Sequence, residues 1–105
     1  MNRKVYTVSF ITQYISDRFA EDRNLSVVFV RGEISGYNRN ANSGHIYFTL
    51  KDKDAMISCA MFYGDQRGLD FQLANGQEVI VGGTIGVYKN RGIYQLKAKK
   101  IIGKQ

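Results

Sequence analysis

Hydrophobic residues recur at helical spacing near the start of the chain. Within residues 8–21 they fall on one face of a helix, and most charged residues fall on the other. The members of this apolar face are Ile11, Tyr14, Ile15 and Phe19. Thr7 or Ser9 supplies a side-chain oxygen of the kind that caps a helix N-terminus. The pattern predicts an amphipathic helix inside an N-terminal extension, residues 1–24.

From Leu25 onward the hydrophobic period changes to alternation, and β-branched and aromatic residues become frequent. This pattern predicts five β-strands, at residues 25–37, 44–51, 55–63, 77–88 and 92–102. Gly32 interrupts the first strand, where a missing side chain permits a bulge or sharp bend. Residues 64–76 lose the alternation and are expected to form a crossing segment.

Three consecutive strands, a crossing segment and a closing hairpin follow the strand order of an OB barrel. The predicted fold class is therefore all-β with one N-terminal helix, and residues 25–105 form a five-stranded OB-fold barrel. An SH3-like barrel has the same number of strands, but its strands are usually shorter and it lacks a connection of this length. The glycine-rich residues 82–86 lie inside a strand, so we expect them to let the strand coil around the barrel and not to form a phosphate loop.

Composition adds an uneven charge distribution to this picture. The chain has 105 residues, enough for one domain, and a net charge of +6. Residues 1–88 contain nine basic and nine acidic residues, whereas residues 89–105 contain six basic residues and no acid. This basic strip consists of Lys89, Arg91, Lys97, Lys99, Lys100 and Lys104. It is typical of a surface that attracts phosphates, although a solubilising tail would have the same composition.

The distribution of apolar residues argues against a membrane protein. No apolar run approaches the roughly 20 residues that cross a bilayer, and the first residues do not resemble a signal peptide. We therefore expect a cytoplasmic domain with no membrane partner.

Alternation separates the two faces of the predicted second and third strands. Core positions are Ile46, Phe48, Leu50, Ile57, Cys59 and Met61, and outward positions are His45, Tyr47, Thr49, Lys51, Ser58, Ala60 and Phe62. Tyr47 and Phe62 are thus expected to be exposed together, as stacking surfaces beside small residues. Flat rings next to cations are what single-stranded nucleic acid requires. Either ring could instead pack beneath a loop.

OB barrels bind ligands on this face, between the loops that follow the first and fourth strands. These loops place Tyr37 and Arg39 on one side and Tyr88, Lys89 and Arg91 on the other. Lys51 of the second strand, and Lys97 and Lys99 of the last strand, are further candidates for phosphate contacts. Tyr88 and Tyr94 could alternatively pair across the closing hairpin and only stiffen it.

The sequence contains no pattern typical of a catalytic or metal site. His45 is the single histidine and has no cysteine or carboxylate at ligand spacing, so a polar contact is the better interpretation. Cys59 is the single cysteine and is expected to be a buried structural thiol. Asp52 and Asp54 lie two residues apart in a predicted turn, where such residues usually cap backbone groups. No cofactor, metal or catalytic residue is predicted.

Several segments resemble one known family. They are residues 5–9, 32–35, 43–52, 59–62, 87–88, 91–92 and 94–96, and the longest reads Ser-Gly-His-Ile-Tyr-Phe-Thr-Leu-Lys-Asp. On these segments the chain resembles the N-terminal OB domain of the exodeoxyribonuclease VII large subunit. The resemblance implies that the chain binds single-stranded DNA and delivers it to a catalytic region outside this chain. It also implies that the isolated domain cuts nothing, and that its partners are the rest of the large subunit and, through absent regions, the small subunit.

The chain departs from that family at a few loop positions. Many relatives have a small polar residue and phenylalanine where Gly36 and Tyr37 stand, and a proline where Asn90 stands. Many also have an arginine where this chain has Tyr63, which makes Tyr63 a candidate second stacking ring. A preference for DNA over RNA rests on the resemblance alone. An RNA-binding module, a protein-docking barrel and an autonomous nuclease are therefore kept as alternatives.

Overall fold

The computed structural model describes residues 3–103, so Lys104 of the predicted basic strip lies outside the described residues. The elements are α1 (Val8–Glu21), α2 (Arg23–Ser26), β1 (Val28–Arg39), β2 (Ile46–Lys51), β3 (Met56–Met61), a 3-10 turn (Tyr63–Asp65), β4 (Glu78–Tyr88) and β5 (Ile93–Gly103). All five predicted strands and the predicted helix are confirmed, with small shifts at strand ends. No helix in the described part of the chain is long and apolar enough to cross a membrane.

The five strands close into a barrel in the order β1-β2-β3-β5-β4. The pairs β1–β2, β2–β3, β4–β5 and β1–β4 are antiparallel, and β3–β5 is parallel. The long strand β1 closes the barrel because residues 28–33 pair with β4 and residues 33–39 pair with β2. The predicted OB-type barrel is therefore confirmed.

The irregularity of β1 lies at a different glycine from the one considered in the sequence. The register shifts between Ser35 and Asn38, where Gly36 has a φ of +62°, a conformation that favours glycine. Gly32 instead lies where β1 passes from one neighbour to the other, and a Cβ there would come within 2.7 Å of the Leu50 Cγ. Gly32 is needed for close packing against β2, and the register shift falls on Gly36.

Two adjacent glycines in β4 make room for different neighbours: Gly83 for the backbone of β5, and Gly82 for the ring of Phe29. A Cβ on Gly83 would overlap the backbone carbonyl oxygen of Lys97. Gly82 pairs with Lys100 whereas Gly83 pairs with Ala98, so the intervening residue of β5 forms a bulge. The expectation that these glycines serve the path of a strand is confirmed, and the close approach fixes the position of Lys97.

The barrel interior is apolar. Its buried residues are Ile34, Ile46, Phe48, Leu50, Cys59, Met61, Leu73, Val79, Val81, Ile85, Leu96, Ala98 and Ile101. These include most of the core positions predicted from alternation, and Ile57 packs against the same cluster while partly exposed. Burial raises the pKa of the Cys59 thiol to about 12, which fits the predicted structural thiol. Each fully buried aliphatic side chain contributes roughly 1.5–3 kcal/mol to folding.

Helix α1 begins as predicted but does not bury its apolar face. The Thr7 hydroxyl oxygen accepts a hydrogen bond from the Phe10 N–H at 3.0 Å, which caps the helix. Phe19 packs against the core cluster, whereas Ile11, Tyr14 and Ile15 are 41%, 51% and 43% exposed. The prediction of an amphipathic helix is confirmed, and the face that it exposes is the apolar one.

The first strand begins at Val28 and not at the predicted residue 25, because helix α2 occupies residues 23–26. Helix α2 forms because the Asp22 carboxylate accepts a hydrogen bond from the Asn24 N–H at 2.8 Å, so residues 23–26 complete a helical turn. Alternation predicted a strand from residue 25, but residues 25 and 26 belong to this helical turn.

Candidate nucleic-acid interface

A groove of about 580 Å³ crosses the outer surface of the barrel. We call it the aromatic groove; its lining residues are Tyr47, Ala60, Phe62, Thr84, Gly86, Val87, Tyr88, Gln95 and Lys97. They come from β2, from β3 and the residue after it, and from β4 and β5. The groove therefore includes the face of the second and third strands that the sequence indicated, and continues onto the closing hairpin.

Strand register places one row of the groove. Tyr47 of β2 pairs with Ala60 of β3, and Ala60 pairs with Lys97 of β5. Because paired residues project to the same side of a sheet, the phenol and the ammonium flank a methyl group. Ala60 faces the groove as predicted, but its neighbours cover it, since it is only 1% exposed.

Phe62 has two close neighbours, His45 and Lys97. Its ring lies 4.9 Å from the His45 ring, centroid to centroid, at an angle of 47°, and the Lys97 Nζ lies 5.2 Å from its centroid. The His45 Nδ1 accepts a hydrogen bond from the Tyr63 N–H at 3.0 Å, which orients the imidazole. The cation–π contact contributes roughly 0.5–1 kcal/mol at such a surface site. Phe62 is thus partly buried and fixed, with Lys97 beside its face.

The other side of the groove comes from the β4–β5 hairpin. Thr84 pairs with Lys97, and Gly86 pairs with Gln95, so these four residues project to one face. Nothing lies within 4 Å of the place that a Cβ on Gly86 would occupy, so the space above this glycine is open. Tyr88, which is 42% exposed, stands at the end of this side near the turn.

Four residues that line the groove are not predicted by the sequence pattern, namely Thr84, Gly86, Val87 and Gln95. Alternation along β4 and β5, read outward from the core positions, could have identified Thr84 and Gln95. Gly86 carries no side-chain signal, and Val87 lines the groove although its partner in the register is Tyr94 on the opposite face.

The alternative in which Tyr88 and Tyr94 pair across the closing hairpin is wrong. Tyr88 pairs with Ile93, and Tyr94 pairs with Val87. Ile93 and Tyr94 are adjacent on β5, so their side chains project to opposite faces of the sheet. Tyr88, opposite Ile93, therefore lines the aromatic groove, whereas Tyr94 lines an apolar depression near α1. Tyr94 is 54% exposed and lines that depression beside Phe19 and Leu25.

Two other aromatic candidates lie outside the groove. Tyr37 is partly buried and packs against the core cluster, and its N–H donates to the Asn75 Oδ1 at 2.8 Å. Tyr63 is 65% exposed, and its ring lies against Gly44, where a Cβ would come within 2.8 Å of it. Tyr37 is thus bonded to the connection before β4, and Tyr63 lies against the end of the β1–β2 loop.

The cations of the predicted basic strip point to several different surfaces. The Lys89 Nζ donates a hydrogen bond to the Gln13 Oε1 of α1 at 2.7 Å, and the Lys99 Nζ lies 3.1 Å from the Asp65 Oδ2. Lys100 lines a separate depression beside Phe71, and Arg91 is exposed in the β4–β5 turn. Among the described members of the strip, Lys97 lines the groove.

The remaining cationic candidates, Arg39 and Lys51, are not among the residues that line the aromatic groove. Arg39 is exposed and pairs in the register with Ile46, at the end of β1. Lys51 projects from the far end of β2, where its Nζ lies 3.9 Å from the Glu33 Oε2. That surface pair contributes little, because both side chains are well exposed to solvent.

The paired aspartates form a turn. The Asp52 Oδ1 accepts hydrogen bonds from the N–H groups of Asp54 and Ala55 at 2.8 and 2.9 Å. These two bonds lower the pKa of the Asp52 carboxyl. Within residues 3–103, no group of three or more histidine, cysteine, aspartate or glutamate side chains is placed to hold a metal ion.

Two curated relatives support the resemblance found in the sequence. The chain is 43% identical, over 96% of its length, to the exodeoxyribonuclease 7 large subunit of Natranaerobius thermophilus. It is 45% identical, over 93% of its length, to that of Lachnoclostridium phytofermentans. In each case it spans 24% of the relative, about a quarter of that protein's length.

Solved structures share the fold at low sequence identity. A chain of a replication protein A heterotrimer bound to single-stranded DNA has a TM-score of 0.63 and 13% identity, covering 78% of this chain and 60% of its own. The structure of yeast Stn1 and Ten1 gives a TM-score of 0.61 and 13% identity, covering 93% and 60% respectively. A profile described as "OB-fold nucleic acid binding domain" matches residues 6–102, and the chain belongs to that family.

Proposed function

We propose that this domain binds single-stranded DNA in the aromatic groove and delivers it to the catalytic region of an exodeoxyribonuclease VII-like large subunit. The main support for the proposal is the arrangement of residues around the Phe62 ring. Its ring contacts the His45 ring and lies near the Lys97 ammonium, in a groove that also contains Tyr47 and Tyr88. Rings held in place beside a cation suit stacked bases and their phosphates.

Stacking supplies the sequence-independent part of the binding. Phe62, Tyr47 and Tyr88 surround a groove whose open space lies above Gly86. Each base that stacks on one of these rings contributes roughly 1–3 kcal/mol. Because every base has a flat face, we expect tolerance of sequence, which is what delivery of a strand to an exonuclease requires.

Cations around the groove contact the phosphates in this proposal. Lys97 is within the groove, and Arg39 and Arg91 are exposed near the loops on either side. Lys51, Lys89 and Lys99 already have partners in the barrel or helix. Exposed pairs of this kind contribute about 0–1 kcal/mol, so a phosphate can replace the existing partner.

The catalytic part of the function belongs to a longer protein. The relatives named exodeoxyribonuclease 7 large subunit are about four times as long as the stretch matched here. We infer that the nuclease site and the contacts with the small subunit lie in those other parts. The chain by itself binds and does not cleave.

The experiment that tests the proposal is an anisotropy titration of labelled dT oligomers of several lengths at two salt concentrations. Uridine oligomers of matched length and duplex DNA are titrated in parallel. We expect dT oligomers to bind more tightly than duplex, and binding to weaken with a slope of about 0.7 log units per log unit of salt for each neutralised phosphate.

Three results would count against the proposal. Equal or tighter binding of the uridine oligomers would identify an RNA-binding or unselective module, as the breadth of the family description allows. Absence of binding to every oligonucleotide at low salt would favour a protein-docking barrel. Cleavage of labelled strands by the pure domain, lost on Asp52→Asn, would contradict a purely binding role.

A further inference from the structure

Gly86 lies in the interior of β4, although neither packing nor backbone conformation requires a glycine there. The nearby Gly82 differs, because a Cβ on it would come within 2.6 Å of the Phe29 ring. A Cβ on Gly86 would meet nothing within 4 Å, and the φ of Gly86 is not positive. Glycine weakens the interior of a strand, and a glycine that packing does not explain is typical of a place where a ligand approaches the backbone.

Gln95 is the cross-strand neighbour of this open position. It pairs with Gly86 of β4 on one side and with Ser58 of β3 on the other. Paired residues project to the same face of a sheet, so Gln95 has a small residue on either side of it across the strands. Gln95 lines the aromatic groove and is partly exposed. Its side-chain amide is therefore accessible from the groove.

The side-chain amides of two other glutamines hold backbone groups in place. The Gln66 Nε2 donates a hydrogen bond to the Met61 carbonyl oxygen at 3.0 Å. The Gln77 Nε2 donates to the Gln72 carbonyl oxygen at 2.9 Å. Within residues 3–103, no hydrogen bond of this kind involves the Gln95 amide. Its oxygen and its NH₂ group are thus available to a ligand.

The residues on either side of Gly86 along β4 have other contacts. The Thr84 Oγ1 donates a hydrogen bond to the Ser26 carbonyl oxygen at 2.8 Å, which connects the strand to α2. Tyr88 is on the same face as Gly86, two residues or roughly 6.4–6.8 Å further along the strand. A ligand above Gly86 therefore lies beside the Tyr88 ring and can reach the Gln95 amide across the sheet.

We propose that the space above Gly86 is a seat for one base of a bound single strand, and that the Gln95 amide forms hydrogen bonds with the edge of that base. This base seat lies within the aromatic groove, so it rests on the proposed function. The edge that each base uses for pairing in a duplex presents a donor next to an acceptor. A glutamine amide presents the same two groups, and half a turn about its last bond reverses their order. The contact therefore requires a base and tolerates any sequence.

Filling the space tests the base seat. Gly86→Val should weaken binding of a dT oligomer about tenfold or more, since the added side chain takes the position of a base. A β-branched residue suits a strand, so the fold should remain intact, as circular dichroism would verify. Gly68→Val is the matched control, because nothing lies within 4 Å of a Cβ there either and Gly68 is outside the groove. A folded Gly86→Val variant with the affinity of the unaltered domain would overturn the proposal.

Replacing the amide with a carboxylate tests the contact with the base edge. A carboxylate only accepts hydrogen bonds, and guanine is the base whose pairing edge presents two adjacent donors. Gln95→Glu should therefore shift the ratio of affinities for alternating d(TG) and dT oligomers by on the order of tenfold in favour of d(TG). Alternating d(TC) is the control ligand, since the pairing edge of cytosine has a single donor group. A ratio within one variant also cancels the repulsion between the new charge and the phosphates.

The base seat and the proposed function can fail separately. A domain that binds dT oligomers but keeps the same d(TG) to dT ratio in Gln95→Glu would have the groove as its interface without the amide contact. Equal gains for d(TG) and d(TC) would likewise exclude recognition of the base edge. A domain that binds no oligonucleotide at low salt would overturn both proposals.

Discussion

Two clusters of aromatic residues in this molecule look alike in composition and differ in what supports them. The aromatic groove contains Phe62 with the Lys97 Nζ at 5.2 Å from its ring centroid. Helix α1 contains Tyr14 with the Arg18 guanidinium carbon at 4.7 Å from its ring centroid. Each cluster has further rings, and each is partly exposed.

The two clusters differ in the residues that lie beneath their rings. In the groove, strand pairing fixes Tyr47 beside Ala60, and the neighbouring residues Ile46 and Met61 are buried in the barrel. On α1 the rings contact one another at helical spacing, and no residue of the helix is buried. A surface fixed in advance loses less entropy when a ligand binds. The groove is therefore the better platform for a nucleic-acid strand.

The largest expected effect comes from disturbing the support of the groove. Gly83→Ala should destabilise the fold by about 3 kcal/mol or more, since its Cβ would overlap the Lys97 carbonyl and force β4 and β5 apart. Urea denaturation measures this free energy of unfolding. Gly64→Ala is the control, because nothing lies within 4 Å of a Cβ there. Equal midpoints for the two variants would show that the strands tolerate separation.

Removing one ring from the groove should have the next largest effect. Phe62→Ala should weaken binding of dT oligomers tenfold or more, in line with roughly 1–3 kcal/mol for a stacked base, and leave the fold intact. Phe29→Ala is the matched control, because Phe29 is 62% exposed and lies outside the groove. Fluorescence titration with a circular dichroism check measures both. Equal losses for the two variants would remove the distinction between the groove and other exposed rings.

A smaller effect separates a groove cation from a paired one. Lys97→Gln should reduce the salt slope of dT binding by about 0.7, the contribution of one phosphate on a single strand. Lys99→Gln should reduce it less, because Lys99 must first leave Asp65 at 3.1 Å. Titrations at four or more salt concentrations give the slopes. A larger change for Lys99 would assign the phosphate path to the other side of β5.

The sequence predicted local features better than features that depend on register between distant strands. Alternation identified the core of β2 and the outward positions of Tyr47 and Phe62, because a strand alone determines its two faces. Pairing between β4 and β5 determines that Tyr88 lies opposite Ile93, and no pattern within either strand contains that information.

The positions of the lysines in the basic strip also depend on strand register, which the sequence pattern does not contain. Its lysines are close in sequence, but the bulge between the Gly82 and Gly83 pairings turns successive residues of β5 to different surfaces. Helix α2 was not predicted from the sequence either. The Asp22 carboxylate caps this helical turn at residues where the alternation typical of a strand had already begun.

Amide chemical-shift mapping of the domain titrated with a dT oligomer tests the location of the binding surface directly. We expect the largest shifts at Ala60, Phe62, Gly86, Gln95 and Lys97, with smaller changes in α1. Shifts concentrated on α1, or on the side of the barrel around Glu33 and Lys51, with the groove unaffected, would contradict binding in the aromatic groove.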